Sequence, residues 1–205
     1  MCRDATRYLD RFEAIVQLGT FVQDAEARAV LQEALNDKHW KIRLVSTKNL
    51  REASKQSGST VKDRLIELAR NDMKASVRTG AIRALASYYH PDSMEVKDEQ
   101  LRNLYEDAMN DQSYAVNGAA LVALADYDFD AIVSLSGGFD EKTDEKLRIT
   151  VAQIYGDKGT EEQSGYFQNL FPKLSDYEKF NFLEYYNAYL IRQEDNIIME
   201  GVDLM

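Results

Sequence analysis

The sequence predicts an all-helical protein, and two observations support that fold class. The 205 residues contain only two prolines, Pro91 and Pro172; because proline breaks helix interiors, their scarcity permits long helical runs. Three segments also repeat one arrangement of residues at intervals of 35 and 39 residues, which is a period typical of stacked helical hairpins. The composition, 44% hydrophobic and 29% charged, is that of an ordered protein with a core.

Each repeated segment places an Asn-Asp pair between two helical patterns. The pairs begin at Asn36, Asn71 and Asn110, and short polar side chains favour turns because they bond nearby backbone groups. The helix after each turn carries apolar or small residues at positions i, i+3, i+4, i+7 and i+8, the spacing of one buried helix face. In chain order these stripes are Ile42, Val45, Ser46, Asn49 and Leu50; Val77, Gly80, Ala81, Ala84 and Leu85; and Val116, Ala119, Ala120, Ala123 and Leu124. Gly80 is interpreted as a position of close helix packing.

These segments resemble HEAT repeats, a family with an aspartate in the turn and a basic residue six positions later. The matching positions are Asp37 and Arg43, Asp72 and Arg78, and Asp111 with Asn117 in place of the basic residue. The resemblance implies a ladder of side chains that bridges adjacent repeats. It also implies a right-handed α-α superhelix of about four to five HEAT-like hairpins, in which stacking buries faces that one hairpin leaves exposed. We expect one domain over residues 1–195 and a disordered tail over 196–205.

The flanking helices follow the repeat less regularly. The segment from Arg11 to Leu18 has the spacing of a second helix, but Asp10 and Glu13 fall on its apolar stripe. It is either an atypical end repeat or the second half of a repeat whose start is missing. Further helices are expected near Ala131–Leu135 and over Glu145–Tyr155, Glu161–Phe171 and Tyr177–Ile191, with Ser175 or Asp176 capping the last one.

Charge and cysteine content exclude several classes of function. A net charge of -10 repels nucleic acid and anionic membrane surfaces, which bind to basic patches. No apolar stretch approaches the roughly 20 residues of a membrane-spanning helix, so we expect no membrane insertion. Cys2 is the only cysteine, which excludes an internal disulfide. The compartment, cytoplasmic or periplasmic, is left open because Met1 also fits a start codon added to a fragment.

Catalytic and metal-binding patterns are missing from the sequence. His39 and His90 are the only histidines; they are not one helical turn apart, and Trp40 and Pro91 follow them instead of glutamate, so they do not form the H-E-x-x-H motif of a helical zinc peptidase. Cys2 has no neighbouring base. In the segment Asp126–Asp130, aspartates occupy alternate positions, as oxygen ligands do at the start of a calcium loop. Such a loop then needs glycine and glutamate at the positions that Ala131 and Gly137 occupy here. We therefore expect no catalytic residue, metal or cofactor in this chain.

The C-terminal quarter is rich in aromatic residues, and two interpretations remain open. Tyr185, Tyr186 and Tyr189 follow helical spacing with Phe182. They either close the core at the end of the stack or form an exposed patch that docks another domain or chain.

Two segments, Tyr8–Ile15 and Ala34–Leu44, resemble the C-terminal helical region of M1-family zinc aminopeptidases of the bacterial sort. That family's catalytic signatures, H-E-x-x-H and G-x-M-E-N, are missing here, so none of its catalytic residues maps onto this chain. The resemblance implies the non-catalytic end of a larger metallopeptidase. Its partner would be the peptidase domain of the same polypeptide, whose substrate chamber it would enclose, and the zinc would lie in that domain.

Two alternatives stand beside this hypothesis. The first is a free-standing HEAT-repeat adaptor that binds a protein or peptide in its groove. The second is a repeat-type lyase or hydrolase, which would require a cluster of acidic residues with raised pKa values.

Overall fold

The computed structural model of the chain describes residues 7–51, 59–88, 98–139 and 143–193. Every regular element within these ranges is helical, as predicted from the sequence. The α-helices are α1 (Tyr8–Leu18), α2 (Ala25–Ala34), α3 (Trp40–Arg51), α4 (Ser59–Asn71), α5 (Ala75–Tyr88), α6 (Glu99–Ala108), α7 (Tyr114–Tyr127), α8 (Phe129–Ser136), α9 (Glu145–Lys158), α10 (Ser164–Leu170) and α11 (Asp176–Arg192). Short 3₁₀ helices lie at Gly19–Phe21, Glu161–Gln163 and Phe171–Lys173.

The chain divides into two compact units, Met1–Ala123 and Leu124–Met205. The expectation of one domain over residues 1–195 stays a prediction. The boundary falls inside α7, so no linker, proline or change in composition marks it in the sequence. The expected tail, 196–205, lies outside the described residues.

Unit 1 is built from helical hairpins that stack in chain order. The two helices of each hairpin pack together, as α2 does with α3 and α4 with α5. Second helices pack on second helices, α1 on α3 and α3 on α5, and the first helices α4 and α6 also pack together. This arrangement confirms the prediction of helical hairpins that bury their faces against neighbouring repeats.

The buried faces of unit 1 are the stripes that the sequence predicts. Ile42 and Leu50 of α3 are buried, as are Val77 and Leu85 of α5 and Val116 of α7. The small residues between them bring neighbouring helices close together. A Cβ atom added to Gly80 would lie 2.4 Å from the Thr47 hydroxyl oxygen on α3, so glycine is needed at this crossing.

Unit 2 contains the described helices α8 to α11, and α9 packs along α11. A Cβ atom at Gly156 of α9 would lie 2.9 Å from the Tyr185 carbonyl oxygen of α11, which shows how closely the two backbones approach. Ser175 is the N-cap of α11 and forms a capping box with Glu178. The segment predicted as one helix, Glu161–Phe171, is instead divided by 3₁₀ turns; Pro172, which has no N–H to donate, lies in the second of them.

Candidate functional site

A ladder of three ion pairs connects successive repeats of unit 1. Arg43 Nε lies 2.6 Å from Asp72 Oδ2, and Arg78 Nε lies 2.7 Å from Asp111 Oδ2. Arg11 Nε lies 2.8 Å from Asp37 Oδ2 in the same way. Each arginine therefore reaches the turn aspartate of the following repeat; Arg43 and Arg78 do so rather than pairing with Asp37 and Asp72, six residues before them.

Each ladder residue also stabilises its own turn. The aspartates accept hydrogen bonds from backbone N–H groups two residues later, with Asp72 Oδ1 2.9 Å from the Lys74 nitrogen. Arg43 and Arg78 donate to the carbonyl oxygens six residues earlier, with Arg78 Nη1 2.8 Å from the Asp72 oxygen. Asn117 donates to the corresponding carbonyl, that of Asp111, at 2.9 Å. The ladder residues thus stabilise the turns, and the arginine–aspartate pairs also bridge the repeats.

The ladder favours the charged form of its aspartates. The hydrogen bond from Arg78 is the largest influence on Asp111 and lowers the pKa of its carboxyl group. At Asp37, burial acts to raise the pKa. The hydrogen bonds from Arg11 and from the His39 backbone N–H, together with the positive charge of Arg11, outweigh this effect and lower the pKa. Both carboxylates are therefore ionised at neutral pH and hold their arginine partners.

Two second helices of unit 1 carry basic residues without acidic ones. Helices α3 and α5 contain four and two basic residues, respectively, and no acidic residue. The first helices α2, α4 and α6 contain two, two and three acidic residues beside one, three and one basic residues. In a chain of net charge -10, the surface formed by α3 and α5 is therefore locally positive.

A groove lies on this second-helix surface, with a volume of about 470 Å³. Its lining residues are Leu44, Lys48 and Arg51 from α3, Ser76, Thr79, Gly80 and Arg83 from α5, and Ala115 from α7. Three of them are basic and none is acidic. Lys48 and Arg83 are exposed, and neither forms an ion pair with a described carboxylate. The groove can accept an anionic or hydrogen-bonding group, and its lining contains no carboxylate, imidazole or thiol that could act as a base.

For the three tyrosines the sequence left a core and a docking patch open, and the structure places two of them in a core. Tyr186 and Tyr189 are 2% and 0% exposed, and Tyr185 is only partly exposed. The Phe167 ring stacks on Tyr186 at 4.8 Å between centroids, and the Tyr189 hydroxyl donates to the Thr160 carbonyl at 2.8 Å. These side chains instead form the core of unit 2, because α10 and the preceding 3₁₀ turn cover this face of α11.

A buried charge lies in unit 2 beside these aromatic rings. Arg148 is 5% exposed and its guanidinium donates to the Glu178 carboxylate. The Tyr166 hydroxyl donates to the Arg148 carbonyl at 2.8 Å, and burial raises the pKa of this tyrosine. The pair connects α9 to the start of α11.

The remaining residues singled out in the sequence have structural surroundings. His39 stacks on Tyr8, with ring centroids 3.8 Å apart. Asp128 is the N-cap of α8, and Asp126 pairs with Lys158, so this segment forms helix ends rather than a calcium loop. Within the described residues no group of three His, Cys, Asp or Glu side chains could hold a metal ion. Cys2 and His90 lie outside those ranges.

The sequence analysis did not identify Arg11 as a ladder residue, nor Lys48 and Arg83 as groove residues. Arg11 was left in doubt because Asp10 and Glu13 fall on the expected apolar stripe, although its seven-residue spacing to Leu18 matches the other repeats. Both acidic residues are exposed in the structure. Lys48 and Arg83 lie 35 residues apart, the interval between their repeats. The recurrence of a basic residue at this interval was the sequence signal that could have identified the groove.

Comparison with a sequence-family model agrees with the repeat architecture of part of the chain. Residues 2–86 match a sequence model described as HEAT repeats, a span that covers α1 to most of α5. The matched segment is a helical-repeat solenoid, as predicted. A designed armadillo repeat protein aligns with a TM-score of 0.48 and 14% sequence identity, over 91% of this chain and 96% of that one. No curated protein matches the chain. No helix in the described ranges is long and apolar enough to cross a membrane.

Proposed function

We propose that this chain is a non-catalytic protein-binding module whose unit 1 binds an extended segment of a partner protein across α3 and α5. The groove of about 470 Å³ on these helices carries the proposal. It is open to solvent, and small residues at Ser76, Gly80 and Ala115 leave its floor accessible. The HEAT-repeat match over residues 2–86 supports the proposal, since such repeats form extended binding surfaces.

The rigidity of this surface also supports a binding role. The ladder of Arg43 with Asp72 and Arg78 with Asp111 fixes the position of α3, α5 and the following turn relative to one another. A surface held in place by such contacts loses little conformational freedom when a ligand binds, and this preorganisation favours affinity.

Selection from an unbiased library of displayed peptides tests the proposal. We expect the chain to retain peptides whose binding, measured by fluorescence anisotropy, is abolished by Ser76→Trp, because the indole fills the groove. The matched control is Asn103→Trp, which places the same side chain at an exposed position of α6. Retained peptides that bind both variants equally would contradict the proposal.

A second proposal concerns the parent protein. We propose that the module is the C-terminal part of an M1-family zinc aminopeptidase and encloses its substrate chamber. The support is the resemblance of Tyr8–Ile15 and Ala34–Leu44 to that region. The purified chain should then neither hydrolyse an aminoacyl anilide nor bind stoichiometric zinc. An upstream reading frame without the H-E-x-x-H motif would contradict this proposal and leave the free-standing adaptor.

A further inference from the structure

The second helices of unit 1 share an exposed position five residues after the ladder residue. The ladder residues are Arg11, Arg43, Arg78 and Asn117. Five residues after them, the first and last of the four helices have an aliphatic residue and the two middle helices have a basic residue. In chain order the four residues are Val16, Lys48, Arg83 and Val122. Val16 and Val122 are 41% and 43% exposed, unusual for valine. We call these four residues the column.

The two basic residues of the column lie in a locally positive field. Helices α3 and α5 contain no acidic residue, and Arg51, which also lines the groove, adds a third positive charge beside Lys48. Asp10 and Glu13 lie on α1, which packs against α3. A carboxylate at the centre of the column is therefore attracted by charges that no described acidic side chain neutralises.

The spacing of the column matches that of an extended peptide. Helix α1 packs on α3 and α3 on α5, and Ala115 of α7 lines the groove together with α5 residues. Packed helices lie about 8–10 Å apart, which is the separation expected between neighbouring column residues. A polyproline II peptide rises about 3.1 Å per residue and presents every third side chain on one face. Residues three apart in such a peptide therefore face successive column positions, and about ten residues span all four.

We infer that the column binds an acidic peptide segment in which two carboxylates, three residues apart, pair with Lys48 and Arg83. Apolar side chains three residues further out on each side then contact Val16 and Val122. This inference rests on the proposed binding function and names the chemistry of its ligand. A protein segment fits better than a nucleic-acid strand, because the apolar ends of the column offer nothing to phosphates and the whole chain carries net negative charge.

The test uses three synthetic peptides of about ten residues. The first has leucine at positions 1 and 10 and glutamate at positions 4 and 7. The second has the same composition with the glutamates adjacent, and the third replaces both glutamates with lysine. We expect the first to bind wild-type chain most tightly by fluorescence anisotropy, with an affinity that falls as salt screens the charges.

Charge-reversal variants locate the binding. Lys48→Glu with Arg83→Glu should weaken binding of the first peptide by roughly tenfold and strengthen binding of the lysine peptide. Lys38→Glu with Arg70→Glu changes the net charge equally at exposed positions outside the groove, and should change the affinity by less than about twofold. Equal thermal melting midpoints establish that both double variants are folded.

Each outcome separates the inference from the proposed function. If library peptides bind in a Ser76→Trp-sensitive way but carry no paired acidic residues, the binding function stands and the inference fails. If the three synthetic peptides bind equally, or a single-stranded oligonucleotide binds more tightly than the acidic peptide, the inference also fails. If Ser76→Trp affects no peptide, both fail.

Discussion

Replacing Asp72 with alanine removes a cap and a bridge between repeats together. The Asp72 side chain is 2% exposed, and its carboxylate accepts from Arg43 Nε at 2.6 Å and from the Lys74 N–H at 2.9 Å. A charge-assisted hydrogen bond contributes about 1.5–3 kcal/mol, and an ordinary hydrogen bond to a turn N–H about 1 kcal/mol. Arg43 is 15% exposed and keeps its bonds to the carbonyls of Asp37 and Lys38, which limits the loss. We expect unit 1 to be destabilised by about 2–4 kcal/mol.

Equilibrium unfolding in urea, followed by tryptophan fluorescence, measures this loss. Trp40 is the only tryptophan and lies in unit 1, so its signal reports that unit even if the two units unfold separately. Asp72→Asn keeps an acceptor for Lys74 and should cost less than Asp72→Ala. Asp63→Ala, which removes an exposed carboxylate of α4, should change stability by less than about 0.5 kcal/mol. A loss below about 0.5 kcal/mol for Asp72→Ala would refute the structural role of the ladder.

The remaining predictions concern the acid stability of the ladder and the close packing of α3 with α5. Because Arg78 lowers the pKa of Asp111 below its ordinary 3.8, the stabilisation from this rung is complete above about pH 4 and is lost as the pH falls through the lowered pKa. The difference in unfolding free energy between wild type and Arg78→Gln should therefore shrink in strong acid, and a constant difference would contradict this. Gly80→Ala should destabilise by about 1–3 kcal/mol, because its Cβ meets the Thr47 hydroxyl, and Thr47→Ala should restore part of the loss in a double-mutant cycle. Gly165→Ala, whose Cβ would have its nearest neighbour at 3.8 Å, should be neutral or stabilising by up to about 1 kcal/mol.

The helices of unit 1 were predictable because their sequence signals are local. The Asn-Asp turns and the stripes after Ile42, Val77 and Val116 specify where each second helix starts and which face it buries. The division into two units was not predictable, because the boundary between Ala123 and Leu124 lies within a helix whose apolar stripe runs through both residues. Helix periodicity reports which face is buried, but it does not report which other helix covers that face.

The site was only partly predictable, for the same reason. Spacing identified Asp37 and Arg43 as ladder residues, but only the stacking of repeats decides that Arg43 bonds Asp72 and that Arg11 bonds Asp37. The aromatic spacing of α11 is equally compatible with a core and with a docking patch, and the covering residues that decide between them, such as Phe167, come from another helix. The groove depends on charges from two helices, which no single sequence window contains.

On the second helices, the ladder residues stabilise the stack of repeats, and the column residues on the opposite side are proposed to bind the ligand. At 3.6 residues per turn, residues five apart point about 140° from each other. Arg43 and Arg78 therefore turn back toward the Asp-containing turns, while Lys48 and Arg83 point away from them. The ladder arginines are already bound to carboxylates, so their positive charge is largely neutralised within unit 1. The field in the groove comes from Lys48, Arg51 and Arg83, and this is why substitutions at the ladder should act on stability while substitutions in the column act on binding.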